Sequence, residues 1–316
     1  MEKDLTGNSF IVAVVGPTGT GKTSVAIELA TRLGAEIVSA DSRQVYRYMN
    51  IGTAKPTVKE QLRARHHLID IVNPDVRFSA GKYGRLARQA INDLVRRKIP
   101  VLVVGGAGLY IKVLTEGLLE GPEIPQKIRN QLTLEYREKT AVELHQRLAI
   151  IDPLSAQRIH ENDRQRVERA LEIHDAIGMT LTDWLNRDQS NHGFKIYLIG
   201  LDWEREALYE RINQRVFQML DCGFEQEVMN LLNKGYGEDA HGMSTFGYSE
   251  ILSYIRGNIN LENAISIIQK RSRHYAKRQL TWFRKVSEIK WIPVTSKTVP
   301  EEISEKIMKD HLTNLF

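Results

Sequence analysis

The sequence predicts an α/β fold: a P-loop-containing parallel sheet covered by helices, with an inserted all-helical domain. Three observations predict it. The runs Phe10–Val15 (FIVAVV) and Val101–Val104 (VLVV) are short, apolar and continuous, as strands buried on both faces are. Helix-like segments alternate with them, the arrangement of a parallel sheet. A charged stretch from Ile128 to Leu185 then carries helical patterning and no strand candidate, after which strand patterning resumes at Phe194.

Each element follows in order. Phe10–Val15 ends in glycine, and a helix is predicted from Lys22 to Leu33. AEIVSA forms a second strand. Ser79–Lys98 reads as an amphipathic helix with Leu86, Ala90, Leu94 and Val95 on one face. VLVV is the next strand, and Gly105–Leu119 begins as a tight turn and continues as a helix. Leu118–Pro125 and Asn186–Gly193 read as linkers, which places a helical insertion at 118–193 within a core of 1–117 and 194–316. Pro153 and Gly178 punctuate the insertion. Phe194–Leu201 returns as a strand, three or four helices follow, and EIKWIPV closes the sheet.

The 316 residues carry 42% hydrophobic and 26% charged residues, the balance of a globular enzyme with a sizeable core. The single cysteine, Cys222, rules out an intramolecular disulfide and a thiolate zinc site. It lies in a helical-looking stretch and is expected to be half-buried packing. The polar start is no signal peptide, and the apolar runs are too short to span a bilayer, so a cytoplasmic setting is expected. The net charge of +5 weakly favours a polyanionic partner.

Gly16, Gly21, Lys22 and Thr23 match the phosphate-loop pattern G-x-x-x-x-G-K-[ST] between a strand and a helix. Loop amides and a helix N-terminus suit an anion, Lys22 adds a point charge, and the Thr23 hydroxyl can ligate Mg²⁺. The usual second acidic strand end is missing, because VLVV runs into Gly105-Gly106. IVSA does end at Asp41. That carboxylate reads either as a ligand-facing group at a strand's carboxyl end or as the cap of the following turn. His66-His67 does not read as a metal site, since neighbours on a strand point to opposite faces.

The stretches GPTGTGKT, Asp41–Pro56 (DSRQVYRYMNIGTAKP), His66–Pro74, Gly105–Ile111, Asn162–Ile173 and Tyr275–Arg284 together resemble the tRNA dimethylallyltransferases, over nearly the whole chain. The resemblance implies transfer of a dimethylallyl group from dimethylallyl diphosphate to N6 of adenosine at tRNA position 37, assisted by Mg²⁺. It implies that Gly16, Pro17, Thr18, Gly19, Thr20, Gly21, Lys22 and Thr23 cradle the diphosphate and that Asp41 is the general base. Ser42, Arg43 and Gln44 would line the path of the target nucleotide, Gln44 with an adenine-edge contact in reach. Thr53 and Lys55 are further candidates at the leaving group, or else anchors of their own loop. Arg211 and Arg215, one helical turn apart, suit either a diphosphate or a solvated face paired with Glu204 or Glu206; the resemblance favours Arg215 as catalytic.

For the RNA, the resemblance points to Ala107, Arg129, Gln165, Arg166, Val167, Glu168 and Arg169, with Asn162-Asp163 as a helix cap. It also points to Ser244, Thr245, Phe246, Gly247 and Tyr248, and to Lys277 and Arg278. Between Asn263 and Ser287 there is no Asp or Glu. Lys270, Arg273, Lys277 and Arg284 form a basic stripe there, with Tyr275, Trp282 and Phe283 interleaved, a composition that suits phosphates and unstacked bases. Two positions depart from the family: Ala107 stands where Thr is usual, and Lys82 where an acidic residue is common. A monomer is expected. A transferase acting on free adenine nucleotides, an ATP-using small-molecule kinase and a purely RNA-binding protein are the rival readings.

Overall fold

The computed structural model describes residues 11–117, 121–122, 124–186 and 194–312. Six parallel strands form one sheet: β1 (Ile11–Val15), β2 (Glu36–Ser39), β3 (His66–His67), β4 (Val101–Gly105), β5 (Ile196–Trp203) and β6 (Lys290–Val294). Their order is β3-β2-β4-β1-β5-β6. β1 lies between β4 and β5, so the first connection leaves it on one side and the later chain returns on the other. In such sheets ligands collect at the carboxyl ends beside the point of reversal.

Strand alternation builds two apolar layers. Ile11, Ala13 and Val15 pack on one face with α3 (Ala80–Arg96) and α4 (Gly108–Thr115). Val12 and Val14 pack on the other with α1 (Lys22–Leu33) and α14 (Pro300–Ile307). Every residue of β1 is buried, which is why its sequence shows no polar alternation. α2 (Val58–Arg63), which the sequence reading passed over, starts with a reciprocal Thr57–Glu60 capping box.

The helix expected at Ser79–Lys98 is α3, with Ser79 as its N-cap. Its inner face differs from the expectation. Tyr83, Ala87, Ile91 and Leu94 are buried, while Leu86 and Ala90 flank them half-buried. The aromatic ring of Tyr83, stacked on Tyr110 at 3.9 Å, sets the rotation of the helix. The strand expected at Phe194–Leu201 begins at Ile196 and runs on to Trp203. Phe10, Leu118, Leu119 and most of the second linker lie outside the described residues.

After β5 come α10 (Arg205–Asp221), α11 (Phe224–Asn233), α12 (Tyr248–Ile255) and the long α13 (Leu261–Phe283). α13 buries a stripe at helical spacing: Ala264, Ile268, Ser272, Ala276, Gln279 and Phe283. Cys222 is exposed rather than half-buried. Gly223 takes φ +92°, a left-handed conformation that ends α10 at Cys222 and turns the thiol out of the packed face.

The chain divides into two compact units, Met1–Glu116 with Gly193–Phe316, and Gly117–His192. Among the described residues the second unit is helical: α5 (Gln126–Arg137), α6 (Ala141–Ile151), α7 (Pro153–Arg158), α8 (Arg164–Ile177) and α9 (Leu181–Asn186). Its own core joins Leu132, Tyr136, Leu144, Leu148, Val167 and Leu171. Pro153 opens α7 at a position where a missing N–H costs nothing, and Gly178 ends α8. The buried Asp152 accepts from Ser155 N at 3.0 Å and Thr182 N at 2.9 Å, joining α7 to α9.

Candidate active site

The phosphate loop runs from the end of β1 to the start of α1. Gly21 takes φ +85° immediately before α1, so the chain turns into the helix with its first N–H groups facing the loop. Within the loop the Lys22 ammonium donates to Pro17 O at 2.6 Å, and the Thr20 hydroxyl donates to the same oxygen at 3.0 Å. Trp203 on β5 donates its indole N–H to Thr20 O at 3.1 Å. Burial lowers the Lys22 pKa to about 8; the Asp41 charge opposes that shift and Arg215 adds to it.

Asp41 joins the loop because β4 presses against the end of β2. A side chain at Gly105 would begin 2.0 Å from Ala40 O, so only glycine permits this approach. Asp41 Oδ1 accepts from Arg43 N at 2.8 Å and Gln44 N at 3.3 Å. The turn-cap reading is therefore correct for one oxygen. The residue also lines a cavity of about 600 Å³ together with Thr18, Lys22, Thr23 and Arg215, so the two readings coexist.

Arg215 donates to the Thr18 hydroxyl at 3.4 Å. Burial, and then the neighbouring Arg43, lower its pKa to about 10, leaving it charged at neutral pH. Arg211 is exposed over the Trp203 ring at 5.2 Å, and lines the same cavity. Glu204 is taken up as the N-cap of α10 by Glu206 N and Ala207 N. It does not pair with either arginine.

Several expected contacts are corrected. The Gln44 amide is occupied at both ends, donating to Ala54 O at 3.1 Å and accepting from the Ser39 hydroxyl at 3.3 Å. It supports the loop rather than offering a free bidentate edge to adenine. Thr53 is buried and donates to Met49 O at 2.7 Å. Lys55 is buried and donates to Tyr46 O, Asn50 Oδ1 and Asp70 Oδ1. Both anchor the 46–55 loop, and both also line the cavity. His66 and His67 hold separate partners, Ala64 O at 2.7 Å and Glu36 at 2.6 Å.

Arg43 lies over the Phe246 ring at 4.2 Å and near Tyr275 at 5.7 Å. Arg43 and Tyr275 both line the cavity. On α13, Lys270, Lys277 and Arg278 are exposed, Arg278 lying 5.8 Å from the Tyr275 ring. The rest of the expected stripe is engaged elsewhere. Arg273 donates to Asn213, and Arg284 pairs with Asp202 at 2.5 Å. Phe283 is fully buried, and Trp282 packs where a side chain at Gly108 would stand. Phe283 is therefore no base-stacking surface, and Trp282 is half-buried against the start of α4.

Tyr248 is likewise a core residue, at 0% exposure. Of its neighbours in the turn before α12, Ser244 is exposed, Thr245 and Phe246 are half-buried, and Gly247, expected as an RNA contact, is buried. Ala107 is the N-cap position of α4, where its methyl group makes no side-chain cap, and its N–H donates to Ala40 O at 3.1 Å. Lys82 lies in the first turn of α3, donating its backbone N–H to Ser79. In the helical unit Val167 is buried in the core, so its side chain is not an RNA contact. Gln165 and Arg166 are exposed after the Asp163 cap; Arg166 pairs with Asp163 at 3.3 Å and Glu168 with Arg164 at 2.6 Å. Arg129 and Arg169 converge on the buried Glu172, each at 2.5 Å.

Two supporting residues went unnoticed in the sequence. The buried Glu227 accepts from the N–H groups of Asn50, Ile51 and Gly52 and from the Tyr248 hydroxyl, pinning the loop beside the cavity. It looked like one of many helix-surface glutamates. The buried Gln279 accepts from Thr18 N at 2.9 Å and donates to Gly106 O at 2.8 Å. A polar residue repeating at the apolar spacing of α13 was the available signal.

The chain is 46% identical over 287 residues to tRNA dimethylallyltransferase 1 of Syntrophotalea carbinolica, covering 89% of this chain and 90% of that protein. It is 43% identical to the tRNA dimethylallyltransferase of Geobacter metallireducens, covering 91% and 93%. The fold matches the tRNA isopentenylpyrophosphate transferase of Bacillus halodurans at TM-score 0.71 and 37% identity, over 97% of each chain. It matches a eukaryotic dimethylallyltransferase acting on tRNA at TM-score 0.80 and 26% identity, over 97% of this chain and 80% of that one. The IPP transferase family model matches residues 44–286, and the chain belongs to the IPP transferase family.

Proposed function

We propose that this enzyme transfers a dimethylallyl group from dimethylallyl diphosphate to N6 of the adenosine at tRNA position 37, next to the anticodon, releasing diphosphate. The observation that carries the reading is one cavity that holds both the phosphate loop and Asp41, whose Oδ1 is fixed by two backbone amides. The other acid lining that cavity, Glu60, is engaged in capping α2. A phosphate loop facing a fixed carboxylate suits alkyl transfer from a diphosphate. The names of the relatives support tRNA as the acceptor.

The chemistry follows from the groups present. The lone pair on N6 of adenine is delocalised into the ring, so nitrogen attacks weakly unless its proton is removed. As the N6–C1 bond forms, the C1–O bond to diphosphate breaks and its electron pair leaves on that oxygen. Asp41 takes the N6 proton. Lys22, Arg215 and the loop amides meet the charge that builds on the leaving oxygens. Among the described residues no cluster of three or more His, Cys, Asp or Glu could hold a metal by itself. A Mg²⁺ ion carried on the phosphates, with the Thr23 hydroxyl and water completing its shell, fits this donor set and would neutralise diphosphate charge.

On the RNA side, Lys277 and Arg278 would meet phosphates, and Arg43, Phe246 and Tyr275 would line the base's approach to Asp41. Gln165, Arg166 and their helix would reach the anticodon stem-loop from the helical unit. Taking the base from its stack costs a few kcal/mol, least in a loop. The reading extends to a monomer in the cytoplasm; no helix among the described residues is long and apolar enough to cross a membrane.

The test is nucleoside analysis of tRNA after incubation with the protein, dimethylallyl diphosphate and Mg²⁺. N6-(dimethylallyl)adenosine at position 37 is expected. Modification of AMP with tRNA left untouched would replace this reading with a free-nucleotide transferase. Thermal protection by ATP but not by dimethylallyl diphosphate would replace it with a kinase.

A further inference from the structure

We propose that Gln279 is a positioning residue for the phosphate loop, acting through the single peptide unit that joins Pro17 to Thr18. This rests on the reading of that loop as the diphosphate site. The Gln279 side chain comes from α13 and is 8% exposed. Its Oε1 accepts the Thr18 N–H at 2.9 Å, and its Nε2 donates to Gly106 O at 2.8 Å. The amide group is thus oriented at both ends, with no freedom to flip without losing both bonds.

In a planar trans peptide the N–H and C=O point in opposite directions. Holding the Thr18 N–H toward Gln279 therefore aims Pro17 C=O the other way. That oxygen is the acceptor for both the Lys22 ammonium, at 2.6 Å, and the Thr20 hydroxyl, at 3.0 Å. One side chain outside the loop thereby sets the group on which the loop's lysine rests. Thr18 is held a second time, through its hydroxyl, by Arg215 at 3.4 Å.

The contact is built closely. A side chain at Gly106 would begin 2.3 Å from Gln279 Nε2 and 3.1 Å from Gly16 O, so the end of β4, the loop and α13 meet at this point. Nothing in the geometry requires a polar residue here for packing, since the neighbouring positions of the same stripe are Ala276 and Phe283. One turn before it on the same helix, Tyr275 lines the cavity, and Lys277 and Arg278 face solvent. Gln279 thus ties the loop to the helix that carries the exposed cations.

The experiment compares wild type with Gln279→Met, which has similar volume and no amide. Binding of inorganic pyrophosphate with Mg²⁺ and of an anticodon stem-loop RNA is titrated separately, with the thermal midpoint and the exchange rate of the Thr18 amide followed by NMR. The expected result is about tenfold weaker pyrophosphate binding, the size of one lost buried hydrogen bond. Stem-loop affinity should stay within about twofold, and Thr18 amide protection should be present only in wild type. Equal pyrophosphate affinity in the two proteins would overturn the proposal. So would parallel loss of both ligands with a fall in the midpoint, which marks a structural role alone. If the variant does not fold, fast exchange of the Thr18 amide in wild type overturns it, and slow exchange beside fast neighbouring loop amides supports it. If wild type itself does not bind pyrophosphate, it is the diphosphate reading of the loop that falls.

Discussion

Asp41 and Lys22 line the same cavity, and the aspartate's charge holds on to a lysine proton that burial would otherwise release more readily. The lysine's pKa falls from 10.5 to about 8, burial being the larger effect. Between those values the unfolded chain binds more protons at this group than the folded one, so stability from this group rises with pH across that window. Diphosphate binding has the opposite slope, because the ligand needs the protonated form.

Pyrophosphate affinity should therefore fall as pH rises through about 8. In Asp41→Asn the fall should begin at lower pH, because the charge that opposes deprotonation is gone. Calorimetric titrations between pH 6 and 9.5 would check both. A common pH profile for the two proteins would show that Asp41 does not influence Lys22.

Near neutral pH the same Asp41→Asn protein should still bind dimethylallyl diphosphate but transfer it about 10²–10⁴-fold more slowly, the range for a lost general base. Single-turnover rates with saturating tRNA measure this. Turnover at the wild-type rate would remove Asp41 from proton transfer.

Replacing Lys277 and Arg278 by Ala should weaken tRNA binding and flatten its dependence on salt. Two lost phosphate contacts correspond to a slope change of about 1.4 for a single-stranded target. Both side chains are exposed, so the thermal midpoint should hold. An unaltered slope would take this face of α13 out of the RNA surface.

Tyr248→Phe keeps the ring packed edge-on against Phe224 at 5.0 Å and removes only its hydrogen bond to Glu227. About 1–2 kcal/mol of stability should be lost. Glu227→Ala should cost more, because it also strips a charged acceptor from three loop amides. Urea unfolding curves would rank the two, and the reverse order would mean that loop 50–52 is not held by this carboxylate.

Cys222 is exposed at the end of α10. In the native protein it should react with a thiol reagent at nearly the rate of a free cysteine, and Cys222→Ser should change stability by less than about 0.5 kcal/mol. Protection of the native thiol would contradict the helix ending at this residue.

The fold class was legible because its signals are local. β1 is buried on both faces and shows a bare apolar run; α1 starts at the residue after Gly21; the helical stretch has helical periodicity and turn punctuation within itself. The loop motif was legible for the same reason, since strand, glycines and lysine are consecutive. The identity of each free side chain was not. Gln44, Thr53 and Lys55 sit in the stretch most similar to the family, yet each is bound to a neighbouring loop group. Tyr248, Val167 and Phe283 resemble contact residues in the sequence but are core in the structure.

The sequence by itself thus determined the parallel sheet, the phosphate loop, the helical insertion and the membership in a diphosphate-using family, all carried by residues close together in the chain. Only the tertiary structure decided which polar groups face the cavity and which hold its walls. Whether a hydrogen-bonding side chain is free depends on partners distant in sequence, as Gln279 and Thr18 show, 261 positions apart. Burial makes such partners obligatory, because an unpaired polar group inside a protein costs more than the bond it would make.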